Sequence, residues 1–117
     1  MDQQFAREIE LLHDRVCMAL SDPTRLLILY TLHQHPYNVS ELVQKLNVPQ
    51  PTISRHLKVL RERSLVEARR QGAAVFYSLG DVRVIQALEL LRAFLHDRVL
   101  EQARLTDFPL PCDEEEI

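Results

Sequence analysis

Glycine is nearly absent: Gly72 and Gly80 are the only two in 117 residues. A Rossmann fingerprint or a P-loop needs several, so both nucleotide-binding signatures are excluded. Cysteine is equally scarce, and Cys17 and Cys112 are too few for a secreted disulfide scaffold. No stretch approaches the roughly 18 consecutive apolar residues of a membrane-spanning helix. The opening MDQQFAREIE lacks the basic-then-apolar order of a signal peptide, so a cytoplasmic protein without a membrane partner is expected. There is no Gly-x-Ser-x-Gly elbow, no His-Glu-x-x-His and no clustered acid–base set, so an enzyme is not expected.

What is present suits one globular domain, with 46% apolar and 26% charged residues. The net charge of −3 is unevenly spread. Residues 50–70 carry Arg55, Lys58, Arg61, Arg63, Arg69 and Arg70 against Glu62 and Glu67, a net of +4, while residues 1–49 and 81–117 are both acidic. A basic island in an acidic chain is the footprint of a local phosphate contact, or a solvated surface stretch.

Phe5, Ile9, Leu12, Val16 and Leu20 recur at helical spacing and predict an amphipathic helix over residues 4–20. Asp22 is a good N-cap and Pro23 suits a first helical position, so a second helix is expected from Pro23 to His33. Its Leu26, Leu27, Ile28, Leu29 and Leu32 make it apolar nearly all round, the pattern of a core helix. After Pro36 a short third helix is expected to start at Ser40 and end at Leu46. The turn Asn47-Val48-Pro49 leads to a fourth helix, residues 50–63. Ile53, Leu57 and Leu60 form its core face, with Ser54, Arg55, Lys58, Arg61 and Glu62 opposite. Alternation at Val66 and Ala68, then at Val75, Tyr77 and Leu79, predicts a β-hairpin turning at Gln71-Gly72. The final helix is expected over residues 81–103, burying Val84, Ile85, Leu88, Leu91, Leu95 and Val99, with further apolar residues on other faces. A terminal helix so apolar calls for a partner.

The fold class is therefore mainly α with a small β-hairpin, a winged helix-turn-helix: four helices, the third and fourth forming the helix-turn-helix, then two strands and a last helix. Residues 1–104 are expected to form the DNA-binding and dimerisation domain, and residues 105–117 an acidic, proline-containing tail. Polar side chains early in a recognition helix reach base edges, and cations farther along and on the wing meet phosphate. Gln50, Thr52, Ser54, Arg55 and His56 are the groove candidates; Lys58, Arg69, Arg70 and Gln71 are the phosphate and minor-groove candidates. The alternative is a winged helix that holds a protein without specific DNA binding, although such a face more often shows apolar anchors.

Two segments, Ala19-Leu-Ser-Asp-Pro-Thr-Arg-Leu-Leu-Ile-Leu29 and Pro51-Thr-Ile-Ser-Arg-His-Leu-Lys-Val-Leu60, together with the Gln71-Gly72 wing, closely resemble the ArsR/SmtB family of bacterial repressors. The resemblance spans roughly residues 5–100. It implies a homodimer built on the first and last helices, bound to an inverted-repeat operator and released by an inducer: a metal, an oxidant or a sulfur species. The third-helix Cys-x-Cys of metal-sensing relatives has no counterpart in Ser40-Glu-Leu-Val-Gln-Lys. Counting from Asp81, the last-helix zinc positions of other relatives fall on Arg83, Phe94 and Asp97, and neither Arg83 nor Phe94 can bind a cation. His13 and Cys17, four apart, share a helix face and could hold a soft transition metal with Cys112 or His96. Alternatively Cys17 and Cys112 pair as a redox switch, or Cys17 is a buried small residue and Cys112 incidental. No cofactor is fixed by the sequence.

Overall fold

The computed structural model describes residues 1–100. Cys112, the expected tail and residues 101–103 of the expected last helix lie outside the described residues. Two compact units are present, Met1–Val82 and a second that begins at Arg83.

The first unit starts with α1, Gln3–Leu12, capped by Asp2, whose carboxylate accepts from the Phe5 amide at 2.9 Å. The single helix expected over residues 4–20 is instead three segments: α1, a wider π-type turn His13–Cys17 and a 3-10 turn Ala19–Ser21. Its end is closed by side-chain donors. The Ser21 hydroxyl donates to the Met18 carbonyl at 2.6 Å, and the Arg25 guanidinium donates to the carbonyls of Ala19 and Met18 at 2.6 and 3.3 Å. None of the α1 residues is buried.

The second helix, α2, spans Pro23–Gln34 and begins as expected, with Asp22 accepting from the amides of Thr24 and Arg25 at 2.8 and 3.3 Å. Ile28, Leu29 and Leu32 are buried, but Leu27 is 54% exposed, so α2 does not bury every face. A strand the sequence reading lacked follows: β1, Tyr37–Asn38. Two residues are too few to show a period of two, which is why alternation gave no sign of it.

Helix α3, Val39–Leu46, is capped by Asn38 rather than Ser40, in a reciprocal box with Glu41: Asn38 Oδ1 accepts from the Glu41 amide at 2.8 Å, and Glu41 Oε1 accepts from the Asn38 amide at 2.9 Å. Asn47, left-handed at φ 55°, closes it, and α4 runs Gln50–Glu62. Ile53, Leu57 and Leu60 of α4 are buried beside Leu42, Ile28 and Leu29 in the unit's core.

Strands β2, Val66–Gln71, and β3, Ala74–Leu79, pair antiparallel from Val66↔Leu79 to Gln71↔Ala74. Gln71 is thus the last strand residue, and the loop is Gly72-Ala73. Gly72 has φ +63°, at the position where a two-residue hairpin loop favours glycine. Strand β1 pairs with the other edge of β3, so the expected hairpin is part of a three-stranded sheet ordered β1-β3-β2. Gly80 is required by close approach, because a Cβ there would lie 2.5 Å from the Ser64 carbonyl oxygen.

The last helix, α5, spans Val82–Phe94 and passes into a π-type turn, Leu95–Leu100. Ile85 and Leu88 are buried, whereas Leu91, Leu95 and Val99, expected to be buried, are exposed in the single chain, as are Leu90 and Phe94. Among the described residues no helix is long and apolar enough to cross a membrane.

Candidate nucleic-acid interface

Helix α4 is set by the turn that precedes it. Asn47 ends α3, Pro49 takes the cap position, and the Pro49 carbonyl accepts from the amides of Thr52 and Ile53, both at 3.1 Å. With Ile53, Leu57 and Leu60 locked inward, the helical period turns Arg55, Lys58, Arg61 and Glu62 outward, and all four are exposed. Gln50 and Ser54 lie one turn apart on this surface, the Gln50 amide donating to the Ser54 hydroxyl at 2.9 Å. Thr52 and Ser54 are half-buried.

The wing carries the second set. Arg69, Arg70 and Gln71 are exposed at the end of β2, opposite Phe76, Val75 and Ala74. Among the described residues Arg55, Lys58, Arg61, Arg69 and Arg70 form no ion pair. Between α4 and β3 lies a groove of about 440 Å³ lined by Ser54, Leu57, Lys58, Arg61, Glu62 and Tyr77. It adds Arg61 and Tyr77, which the sequence reading left out. Arg61 was legible from its spacing of three from Lys58; Tyr77 was not, because only the folded sheet brings β3 to α4.

His56 does not belong to this surface. It is 7% exposed and points into the fold, with Nδ1 accepting from Arg25 Nη1 at 3.1 Å and Nε2 lying 3.8 Å from Asp22 Oδ1. The reason was present in the sequence: Ile53, His56, Leu57 and Leu60 form an i, i+3, i+4, i+7 stripe, so His56 shares the core face. Burial, foremost, pushes the imidazole below its usual range; Asp22 pulls it up, and the charges of Arg25 and Arg55 push it down. For Asp22 the largest influence is desolvation, which raises it. The backbone amides of Arg25 and Thr24, with the charges of His56 and Arg25, outweigh that and hold the carboxyl below its ordinary value. Arg25, absent from the expected site, thereby joins the end of the first helical segment, α2 and α4.

Cys17 is an exposed free thiol in the turn that follows α1, so it is not a packing residue in the single chain. His13, one turn earlier, has Nδ1 3.0 Å from Asp14 Oδ1. Among the described residues no three His, Cys, Asp or Glu side chains cluster as a metal site would need.

A helix-turn-helix with an outward cationic second helix and a β-wing defines the winged-helix class of DNA-binding regulators. Residues 22–68 match the profile of the bacterial regulatory protein, arsR family. A biofilm growth-associated repressor from Agrobacterium fabrum is 40% identical over 74 residues, which are 63% of this chain and 63% of the relative. The match thus spans under two thirds of that relative's length. The solved structure of the transcriptional repressor BigR from Xylella fastidiosa is 32% identical with a TM-score of 0.67, over 80% of this chain and 96% of that one. A homodimeric winged helix-turn-helix DNA-binding domain from Mycobacterium bovis superposes with a TM-score of 0.73 at 26% identity, over 85% of this chain and 91% of that one. The chain belongs to the ArsR family, a family of bacterial regulators rather than enzymes.

Proposed function

We propose that the protein is a homodimeric transcriptional repressor that binds an inverted-repeat operator through α4 and the wing, acts in the cytoplasm and is released by an inducer. The observation that carries this reading is the row of exposed cations without ion pairs on α4 and β2. Gln50, Thr52, Ser54 and Arg55 enter the major groove; Lys58, Arg61, Arg69, Arg70 and Gln71 hold backbone and minor groove. The α4–β3 groove offers a phosphate the charges of Lys58 and Arg61, opposed in part by Glu62, and the hydroxyls of Ser54 and Tyr77. Residues 1–104 are the binding and dimerisation part, paired through the first and last helices, and residues 105–117 are an acidic appendage. A protein-holding module is the weaker reading, because the outward face of α4 presents charge where an interface would place apolar anchors.

The test uses a duplex selected by the wild-type protein from a random-sequence pool. Arg55→Ala should lose about 1–3 kcal/mol on that duplex and relax its sequence preference. Arg70→Ala should weaken binding to every sequence and lower the salt slope by about one unit. Wild-type affinity in Arg55→Ala would refute the placement of α4 in the groove.

Release is assigned to the thiols. The Cys17 and Cys112 thiols lose two protons and two electrons to an oxidant, or to sulfane sulfur that is reduced to sulfide, and join as a disulfide; or a soft metal is held by Cys17 and His13 with a third donor. Operator affinity measured under reductant, under mild oxidant and with zinc or cadmium should fall in one of the last two conditions, and Cys17→Ser should abolish that response. Equal affinity in all three would remove both cysteines from the mechanism.

A further inference from the structure

A buried imidazole on the inner face of a DNA-reading helix has no part in touching DNA, and its contact with Arg25 fixes the tautomer of the neutral ring. The Arg25 guanidinium is held by two backbone carbonyls, Nε to Ala19 and Nη2 to Met18, which fixes the direction of Nη1. Nη1 lies 3.1 Å from His56 Nδ1. A guanidinium can only donate, so Nδ1 must carry a lone pair and the ring proton must sit on Nε2. Nε2 in turn faces Asp22, 3.8 Å away, whose Oδ1 is already occupied in capping α2. One face of α4 is thereby tied to the start of α2, while Arg55, the adjacent residue, projects to the other.

We propose that neutral His56 is the positioning residue that sets the recognition helix against α2, and that protonation of its Nδ1 makes the protein release DNA. The inference rests on the reading of α4 as the DNA-contacting helix. The proton taken from water at Nδ1 would face the Nη1–H donors of Arg25, placing two cations and two donors against each other. The charged groups that face His56 are Asp22 and Arg25 from the start of α2 and Arg55 on its own helix. The attraction of Asp22 works against the two arginines and burial, which together hold the imidazole below its usual range. A group whose folded value is lowered is neutral in both states above the unfolded value of about 6.5, so the contact is complete there. As pH falls below that value the unfolded chain binds the proton more readily, and stability declines until the folded value is passed. Asp22, also lowered, has its window below about 4, which separates the two events.

The experiment measures affinity for the pool-selected duplex from pH 7.5 to 5 at constant ionic strength, with circular dichroism confirming the fold at each pH. Imidazole nitrogen shifts are recorded on the same wild-type protein. Acidification alone adds positive charge and favours a polyanion, so a decrease runs against the general trend. Wild type should lose about tenfold in affinity, as expected for one charge-assisted hydrogen bond. His56→Asn keeps an acceptor at the same branch point without titrating, and should bind like wild type at pH 7.5 with no decrease attributable to this site. His56→Leu should bind weakly throughout. A wild-type affinity that is flat or rising while His56 titrates, an imidazole that stays neutral to pH 5, or a wild-type slope in His56→Asn would each overturn the proposal. If the wild type selects no duplex, the DNA reading fails instead. The nitrogen shifts then judge the positioning alone, since a proton on Nδ1 at pH 7.5 would exclude the Arg25 contact whether or not the variants fold.

Discussion

Leu12→Glu is expected to convert the protein from dimer to monomer at micromolar concentration. Helix α1 has ten residues and buries none of them, leaving Phe5, Ile9 and Leu12 between 44 and 48% exposed in one row. Isolated helices shorter than about 12–15 residues are marginal in water, so α1 needs something against its apolar row. The second unit has the same need, with Leu90, Leu91, Phe94, Leu95 and Val99 all exposed. In the proposed homodimer a second copy covers both rows. A glutamate at Leu12 would then bury an unpaired carboxylate, costing about 4 kcal/mol, or roughly a thousandfold in the dimer dissociation constant. Leu95→Glu should act likewise. Sedimentation velocity reads the change in mass, and hydrogen exchange should show α1 losing protection in the same variant. A wild type that sediments as a monomer at micromolar concentration would end the dimer proposal.

The elements that were legible in the sequence are those whose signals are local. Asp22 before Pro23, Asn47 before Pro49, and the 4,3 spacing of Ile53, Leu57 and Leu60 each fix a boundary or a face by short-range chemistry, and the structure places α2, α3 and α4 within a residue or two of expectation. Strand β1 was hidden because its evidence is tertiary: Tyr37 and Asn38 extend only because Tyr77 and Phe76 pair with them. The division of the first helix was hidden for a similar reason, since the donors that close its end come partly from Arg25, six and seven residues downstream of the carbonyls they take.

For the site, period and charge located the exposed cations but misassigned their neighbour. Its polar type argues for an outward His56, but its spacing from Ile53 and Leu60 puts it on the buried stripe. Position is the better guide, because inside the fold Arg25 donates to the imidazole Nδ1 and Asp22 lies near Nε2. In the motif Asp22-Pro23-Thr24-Arg25, local rules account for the cap and the proline. The long reach of Arg25 across to α4 has no one-dimensional signature, and neither has the groove shared by Arg61 and Tyr77.

Leu57→Ala should be a costly truncation in the DNA-reading unit. Leu57 is 1% exposed, on the same inward stripe as Ile53 and Leu60, and is one of the residues lining the groove between α4 and β3. Removing three of its carbons loses their transfer energy and leaves a void that the flanking helices fill only in part, together about 2–5 kcal/mol. Against a usual total stability of about 5–15 kcal/mol, that predicts a melting temperature lower by roughly 10–30 °C. Leu27→Ala supplies the contrast, because Leu27 has the same side chain on α2 but is 54% exposed, and its truncation should cost no more than about 0.5 kcal/mol. Thermal unfolding at matched protein concentration measures both. A loss below about 1 kcal/mol for Leu57→Ala would contradict the packing of α4 described above. A loss for Leu27→Ala approaching that of Leu57→Ala would instead show that Leu27 is covered in solution, extending the proposed contact between copies beyond the first and last helices.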